Sequence, residues 1–501
     1  MSKPNVLVIH TDQQRYDSLG CSGNPYARTP NLDRLAAEGA CFTRHISSNT
    51  ICMPSRASLF TGLYPPGHNV WTNGVALNRR EYADLNTRVV GARVRPEPPT
   101  LADIFAGAGY DTAAFGKLHL TPNLAPPSYG YPETWANWDA ERFGDWHGPY
   151  YGFRHVEMTQ GHGEQPCHRG HYAAWLQREY PDVYRQVEAS DSEDERASGR
   201  PVPELRDLYP SPVSGELHNT RWLADRFRAY LKDRPADRPF FAFIGFPDPH
   251  HPFTPSYDVV REFEGITVPD PVDPTGESIT GTPLVEAGTD VSGFTQEALR
   301  IVRRYTYAMI HQVDAAVGRI IEGLERAGLW EETIIIFTSD HGDFLGDHGR
   351  LRKGFTPADS LLHLPFILRA PNAQLPARAD TPMSNVDVLP TLTSLTGVAP
   401  PAWCHGVDIT EVVREGTPHA ALAYCANGVP DVTNYTRYDA RYRYTCYPQR
   451  GYAELYDHRD DPGECRNLVE IQPERAAAMR RRIEAALLKH RNPILGRVSA
   501  W

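Results

Sequence analysis

The sequence predicts an α/β fold: a large mixed, mostly parallel sheet sandwiched by helices, then a smaller C-terminal α+β subdomain with an antiparallel sheet. Three observations predict it. Four short apolar runs, NVLVIHTD, DTAAFGKLH, PFFAFIGFPDPHHPF and TIIIFTSDHGD, are rich in Val, Ile and Phe, as strands buried on both faces are. Between them, TPNLDRLAAEG and YTYAMIHQVDAAVGRIIEGLERAG carry apolar residues at helical spacing, the second stopping at Gly328. After about residue 396 the pattern becomes apolar–polar alternation in HAALAYCA, YDARYRYTCYPQ and AELYDH. That alternation suits antiparallel strands with one solvated face. PERAAAMRRRIEAALLKHR then reads as an amphipathic helix with a proline start. The division drawn from this is a catalytic unit at 1–395 and a subdomain at 396–501.

The elements share a device at their ends. The first run closes on Asp12, the second on Lys117 and His119, the third on His250 and His251, the fourth on Asp340 and His341. In open parallel sheets, ligands bind beyond the carboxyl ends of the strands. One aspartate after a strand is ordinarily a turn or cap residue. Four strand ends together supply oxygen and nitrogen ligands for a divalent metal, cations for an anion, and a titratable acid.

Composition narrows the function classes. Net charge is −11, from 51 basic and 62 acidic residues, which argues against a broad nucleic-acid footprint but not against one anion-binding pocket. The 8 cysteines form no C-x-x-C pairs, so neither a zinc ribbon nor a dense disulfide scaffold is expected. No stretch reaches the roughly 20 apolar residues of a membrane span. The first residues lack a secretory pattern, and a cytoplasmic location is the expectation.

One stretch stands apart: SNTICMPSRASLFTGLYP, residues 47–64, sets Cys52 against a proline and an arginine at a helix start. Cys52 reads as a small buried residue, as a thiolate activated at the helix terminus, or as a precursor to be modified. The run Cys52-Met53-Pro54-Ser55-Arg56-Ala57, with Leu59, Thr61 and Gly62, resembles the sulfatase signature C-x-P-S-R-A-x-L-x-T-G. The resemblance continues through the first strand ending in Asp, TPNLDRLAAEG, the G-K-x-H element at 116–119 and the H-x-P-F element at 250–253. SDHGDFLGDHG, Lys353 and ELYDHRDDPGECRNL complete it in the family's order.

The resemblance implies that Cys52 is oxidised to formylglycine by a formylglycine-generating enzyme that reads Pro54 and Arg56. The hydrated aldehyde is then the nucleophile on a small-molecule sulfate ester. It implies one divalent metal held by Asp12, Asp340, His341 and an oxygen of residue 52, with Gln13 adding an amide oxygen. Arg56 would hold the hydrated aldehyde, Lys117 and Lys353 the sulfate oxygens. His250 would protonate the leaving alkoxide, and His119 would take the proton that lets the covalent hemiacetal collapse. Asn73, in WTNG, would contact the sulfate. Whether His250 or His251 faces the leaving group stays open.

Two positions depart from the commonest sulfatase pattern, which pairs Asp-Asp with Asp-Asn. Asp12-Gln13 and Asp340-His341 resemble the choline-sulfatase and phosphonate-monoester-hydrolase branch of the alkaline phosphatase superfamily. One fewer carboxylate and one imidazole favour manganese, with calcium still open. Phosphonate monoester or phosphodiester hydrolysis is the rival activity; Lys117 and His119 favour the sulfatase. A non-catalytic binder of sulfated ligands is the remaining alternative, and the completeness of the residue set speaks against it.

Residues 125–215 form a long connection that reads as a lid or binding loop. Its Trp135, Trp138, Trp146 and Trp175 serve either to stack on a substrate or to anchor the excursion. His162, His168 and His171 with Cys167 look like metal ligands, but their spacing fits no zinc pattern. EASDSEDERASGRP, 188–201, reads as an exposed loop, and the apolar tail NPILGRVSAW as a surface for homo-oligomerisation.

Overall fold

The computed structural model describes residues 3–79, 97–190, 200–272, 282–371, 373–426 and 432–490. Most of the charged run at 188–201 and the apolar tail therefore lie outside the described residues. In chain order the main elements are β1 (Asn5–Thr11), α1 (Pro30–Ala37), β2 (Ala40–Phe42), α2 (Cys52–Thr61), β3 (Asp111–Gly116) and β4 (His155–Glu157). There follow α3 (Asn219–Asp233), β5 (Phe240–Gly245), α4 (Gln296–Arg326), β6 (Thr333–Ser339), β7 (Phe366–Arg369) and β8 (Arg378–Ala379). They build an 8-stranded sheet in the order β8-β2-β7-β6-β1-β5-β3-β4. β6, β1, β5, β3 and β4 are mutually parallel, whereas β7 runs antiparallel to both its neighbours.

The four apolar runs of the sequence are thus four adjacent strands, β6-β1-β5-β3. Their alternate residues enter two different cores, which is why the runs are continuously apolar. Leu7, Ile9, Phe115, Ile244 and Phe337 pack beneath α1, α3 and α4 with Leu32, Phe227 and Val313. Val6, Val8, Ala114, Phe243 and Ile336 pack on the other face with Met53, Ala57 and Phe60 of α2. Burying one such Val, Leu, Ile or Phe side chain is worth about 1.5–3 kcal/mol.

α4 is longer than its apolar run predicts, at 31 residues. It begins where the Thr295 side chain accepts from Ala298 N–H, and its polar first turns still bury Leu299 and Val302 at helical spacing.

The smaller sheet holds β9 (Ala421–Cys425), β10 (Asn434–Tyr438), β11 (Tyr442–Tyr447) and β12 (Tyr452–Asp457), antiparallel throughout, covered by α5 (Pro473–His490). β10 escapes sequence reading because its inward residues are Asn434, Thr436 and Tyr438 rather than aliphatics. Thr436 instead shares a cross-strand hydroxyl hydrogen bond of 2.9 Å with Thr445. This sheet grips the loop before α2. Tyr424 N–H donates to Ser48 C=O at 2.9 Å, and Asn49 Nδ2 donates to Tyr424 C=O at 2.6 Å. Among the described residues no helix is long and apolar enough to cross a membrane.

Candidate active site

Because β6, β1, β5 and β3 are adjacent and parallel, Asp340, Asp12, His250 and Lys117 emerge from one edge of the sheet. α2 points its N-terminus at the same place, with Cys52 as its first residue and Ile51 at the cap. Two side-chain oxygens satisfy amides there: Asn49 Oδ1 accepts from Ile51 N–H and Asn73 Oδ1 from Met53 N–H, at 2.9 and 3.0 Å. Asn73, expected at the sulfate, therefore fixes the turn that carries Cys52 and lines the same pocket.

Asp12, Cys52, Asp340 and His341, all buried, bring ligand atoms within 4.8 Å of one another. His341 Nδ1–H donates to Gly342 C=O at 2.9 Å, leaving Nε2 3.2 Å from Cys52 Sγ and 3.6 Å from Asp12 Oδ1. A ring nitrogen tied to a carbonyl while its partner faces carboxylates is the arrangement of a metal-ligating histidine. Gln13 Nε2 donates to Asp343 and lies 3.0 Å from His251 Nδ1. Its Oε1 is buried without a hydrogen-bond partner among the described residues. Two carboxylates, one imidazole and an orphaned amide oxygen fit a divalent cation.

Cations balance the carboxylates. Arg56, fully buried, donates from Nε to Asp340 Oδ2 at 2.8 Å, from Nη2 to Asp12 Oδ2 at 3.0 Å and from Nη1 to Lys117 C=O at 3.1 Å. Its donors thus go to the ligand carboxylates and to the Lys117 carbonyl rather than to residue 52. Lys117 Nζ reaches Asp12 Oδ2, and Lys353 Nζ reaches Cys52 Sγ at 2.8 Å. Burial alone would raise the Asp12 pKa, but Lys117 and Arg56 outweigh it and hold the carboxyl well below the usual range. Burial and Asp12 oppose ionisation of Cys52; Lys353, Lys117 and His341 overcome them and pull the thiol well below its ordinary value.

His250 Nε2 lies 2.8 Å from Lys353 Nζ and 3.9 Å from Asp12 Oδ1, while His251 turns its Nδ1 to Gln13. Burial, then the neighbouring His162 and Lys353, keep His250 well below the normal histidine range. His119, lowered chiefly by burial and then by Lys117, sits in the left-handed region (φ 57°), where its N–H and those of Leu120 and Thr121 converge on Glu133.

Cys52, His119, His250, His251 and Lys353 open into a cavity of about 790 Å³. Its far wall comes from Leu124 and, within the long excursion, from Tyr129, Tyr131 and Trp135. Trp138 and Trp146 pack against the core beside α2, and Trp175 stacks with Tyr172, so these three anchor the excursion. The His162–His171 group does not assemble. His171 lies between Met158 N–H and Trp146 C=O, Cys167 is buried, and His162 alone reaches the site, at Lys117 Nζ. The sequence offered His162 only as a possible ligand in that group and did not place it at this site.

Known proteins match this chain in sequence and fold. The family model "Sulfatase" matches residues 4–398, and "N-sulphoglucosamine sulphohydrolase, C-terminal" matches 346–492. An arylsulfatase of Clostridium perfringens is 25% identical over 492 residues, covering 93% of this chain and 90% of its own. A choline-sulfatase of Rhizobium meliloti is 25% identical over 491 residues, 93% of this chain and 83% of its own. The solved phosphonate monoester hydrolase of Agrobacterium radiobacter superposes with a TM-score of 0.75 at 25% identity, covering 97% of this chain and 96% of that one. The chain belongs to the sulfatase family, within the alkaline phosphatase superfamily, and is a sulfuric ester hydrolase.

Proposed function

We propose that the protein hydrolyses a small-molecule sulfate monoester to an alcohol and inorganic sulfate, with residue 52 as the nucleophile after oxidation of its thiol to formylglycine. The observation that carries this is the convergence of Lys353, His119 and His250 around Cys52, with Lys117 on Asp12, beside a buried Asp/Asp/His ligand set. Formylglycine, when hydrated, supplies a hydroxyl nucleophile, and a divalent metal supplies the Lewis acid that lowers that hydroxyl's pKa.

The chain's own residues do the rest. Asp12, Asp340, His341 and Gln13 would hold the cation, manganese or calcium. Arg56 keeps the two carboxylates aimed inward through two hydrogen bonds, and a third ties it to the Lys117 carbonyl. Lys117 and Lys353 neutralise the ester's non-bridging oxygens as charge develops on them. His250, beside Lys353, delivers a proton to the departing alkoxide as the sulfur–oxygen bond breaks. His119, lining the same cavity as Cys52, would take the proton from the second hydroxyl that hydrated formylglycine supplies, the deprotonation that sulfate release needs. The outer wall of Tyr129, Tyr131, Trp135 and Leu124 favours an aryl or otherwise apolar alcohol portion.

A second reading, phosphonate monoester or phosphodiester hydrolysis with the same nucleophile and metal, is favoured by the fold match to the Agrobacterium enzyme. Lys117 and His119 argue for the sulfate ester as the principal substrate.

The test is sulfate release from an aryl sulfate by protein co-produced with a formylglycine-generating enzyme, compared with Cys52→Ala. Sulfate release that follows the aldehyde content measured by mass spectrometry supports the reading. Equal activity of the aldehyde-free protein would remove residue 52 from the mechanism.

A further inference from the structure

His162 lies outside every motif, yet the chain builds a dedicated seat for it. It stands between Gly161 and Gly163, both at positive φ (77° and 58°), and its N–H donates to Gln165 Oε1 at 3.0 Å. A Cβ on Gly161 would meet Gln165 Oε1 at 2.3 Å; one on Gly163 would meet Thr254 Oγ1 at 2.9 Å and Pro252 Cβ at 3.0 Å. Gly163 is therefore pressed against the segment that carries His250 and Gly161 against Gln165 of the same turn, both in a backbone conformation that favours glycine. From this seat the His162 ring lies flat on His250, with centroids 3.6 Å apart and planes at 12°. Its Nε2 meets Lys117 Nζ, and it lies 3.7 Å from Asp12 Oδ2.

We propose that His162 is a positioning residue that clamps Lys117 and His250 together over the ester, and so couples sulfate binding to protonation of the leaving group. The inference rests on the sulfatase reading above. The two functions of the ring separate by geometry. Nε2 accepts from Lys117 and keeps that ammonium from swinging to solvent. The ring face limits rotation of His250, whose Nε2 is then held beside Lys353. A displacement of about 1 Å in such a group costs about 10²-fold in rate.

Three variants divide the clamp. His162→Phe retains the ring face and loses the acceptor; His162→Gln retains an acceptor and loses the face; His162→Ala loses both. The readout is kcat and KM over aryl sulfates of graded leaving-group pKa, with calorimetric binding of inorganic sulfate and a crystal structure of His162→Ala. For His162→Ala we expect kcat/KM down about 10²-fold, with the deficit growing as the leaving group worsens. His162→Phe should restore the wild-type leaving-group dependence but not sulfate affinity, and His162→Gln the reverse. A uniform loss in all three variants, or Lys117 and His250 unmoved in the His162→Ala crystal with sulfate affinity intact, overturns the proposal. If the wild type turns over no sulfate ester, the functional reading fails, while the crystal and calorimetric arms still decide whether the clamp exists.

Discussion

Arg56 and Asp340 face each other with no exposure to solvent, Nε to Oδ2 at 2.8 Å, and the same guanidinium reaches Asp12 Oδ2 at 3.0 Å. One fork thus holds two carboxylates that would otherwise repel each other in a low-dielectric site. Arg56→Ala leaves Asp340 without its cation and Asp12 with Lys117 alone, and loss of one partner of a buried pair costs about 3–5 kcal/mol. The variant is expected to unfold at lower denaturant and to be inactive. Arg56→Lys, which cannot make both bonds, should recover only part of the stability. Equilibrium unfolding of the three proteins checks this.

Metal should act on stability as well as on turnover. A cation that binds only the folded chain stabilises it by about 2.7 kcal/mol at a hundredfold excess over its Kd. Chelated protein titrated with manganese or calcium is expected to show a rising Tm, and Asp340→Ala should abolish the rise. An unchanged Tm with both ions would argue against the ligand set.

His250→Ala tests the acid. General acid catalysis is typically worth about 10²–10⁴-fold, and its loss should fall on esters with poor leaving groups. Activated aryl sulfates should be far less affected. Equal losses across the series would assign the proton to another group.

Stability should fall toward acid pH for a reason unrelated to the site. His68 is buried; Val70 N–H donates to its Nδ1 at 3.0 Å, and its Nε2 is 2.9 Å from Ser58 Oγ. Burial, and then His405, lower its pKa to about 3. The unfolded chain takes up this proton near the ordinary value while the fold resists it. The contribution is complete above about pH 6.5 and is lost at up to ~1.4 kcal/mol per unit as pH falls toward 3. His68→Asn keeps an acceptor for Val70 and cannot titrate, so its unfolding free energy should fall less steeply with acid.

The sheet was legible because its strands are buried on both faces, which writes them as continuous apolar runs ending in Asp12, Lys117 and Asp340. The signature around Cys52 was legible because its residues are contiguous. His162 was not, because its role depends on a turn that brings it to residues 45 and 88 positions away, Lys117 and His250. The G-H-G sequence was the available signal. The cap role of Asn73 was hidden similarly, since its partner Met53 N–H lies 20 residues back. β10 was missed because hydroxyl and amide side chains fill its inward positions.

The central claim is that this site prefers a sulfate ester. The most direct measurement is kcat/KM of aldehyde-verified protein for an aryl sulfate and an aryl phosphonate monoester with the same leaving group, with manganese and with calcium. The account predicts the higher value for the sulfate, and its collapse in Lys117→Ala. A dominant phosphonate or phosphodiester activity, indifferent to Lys117, would contradict it.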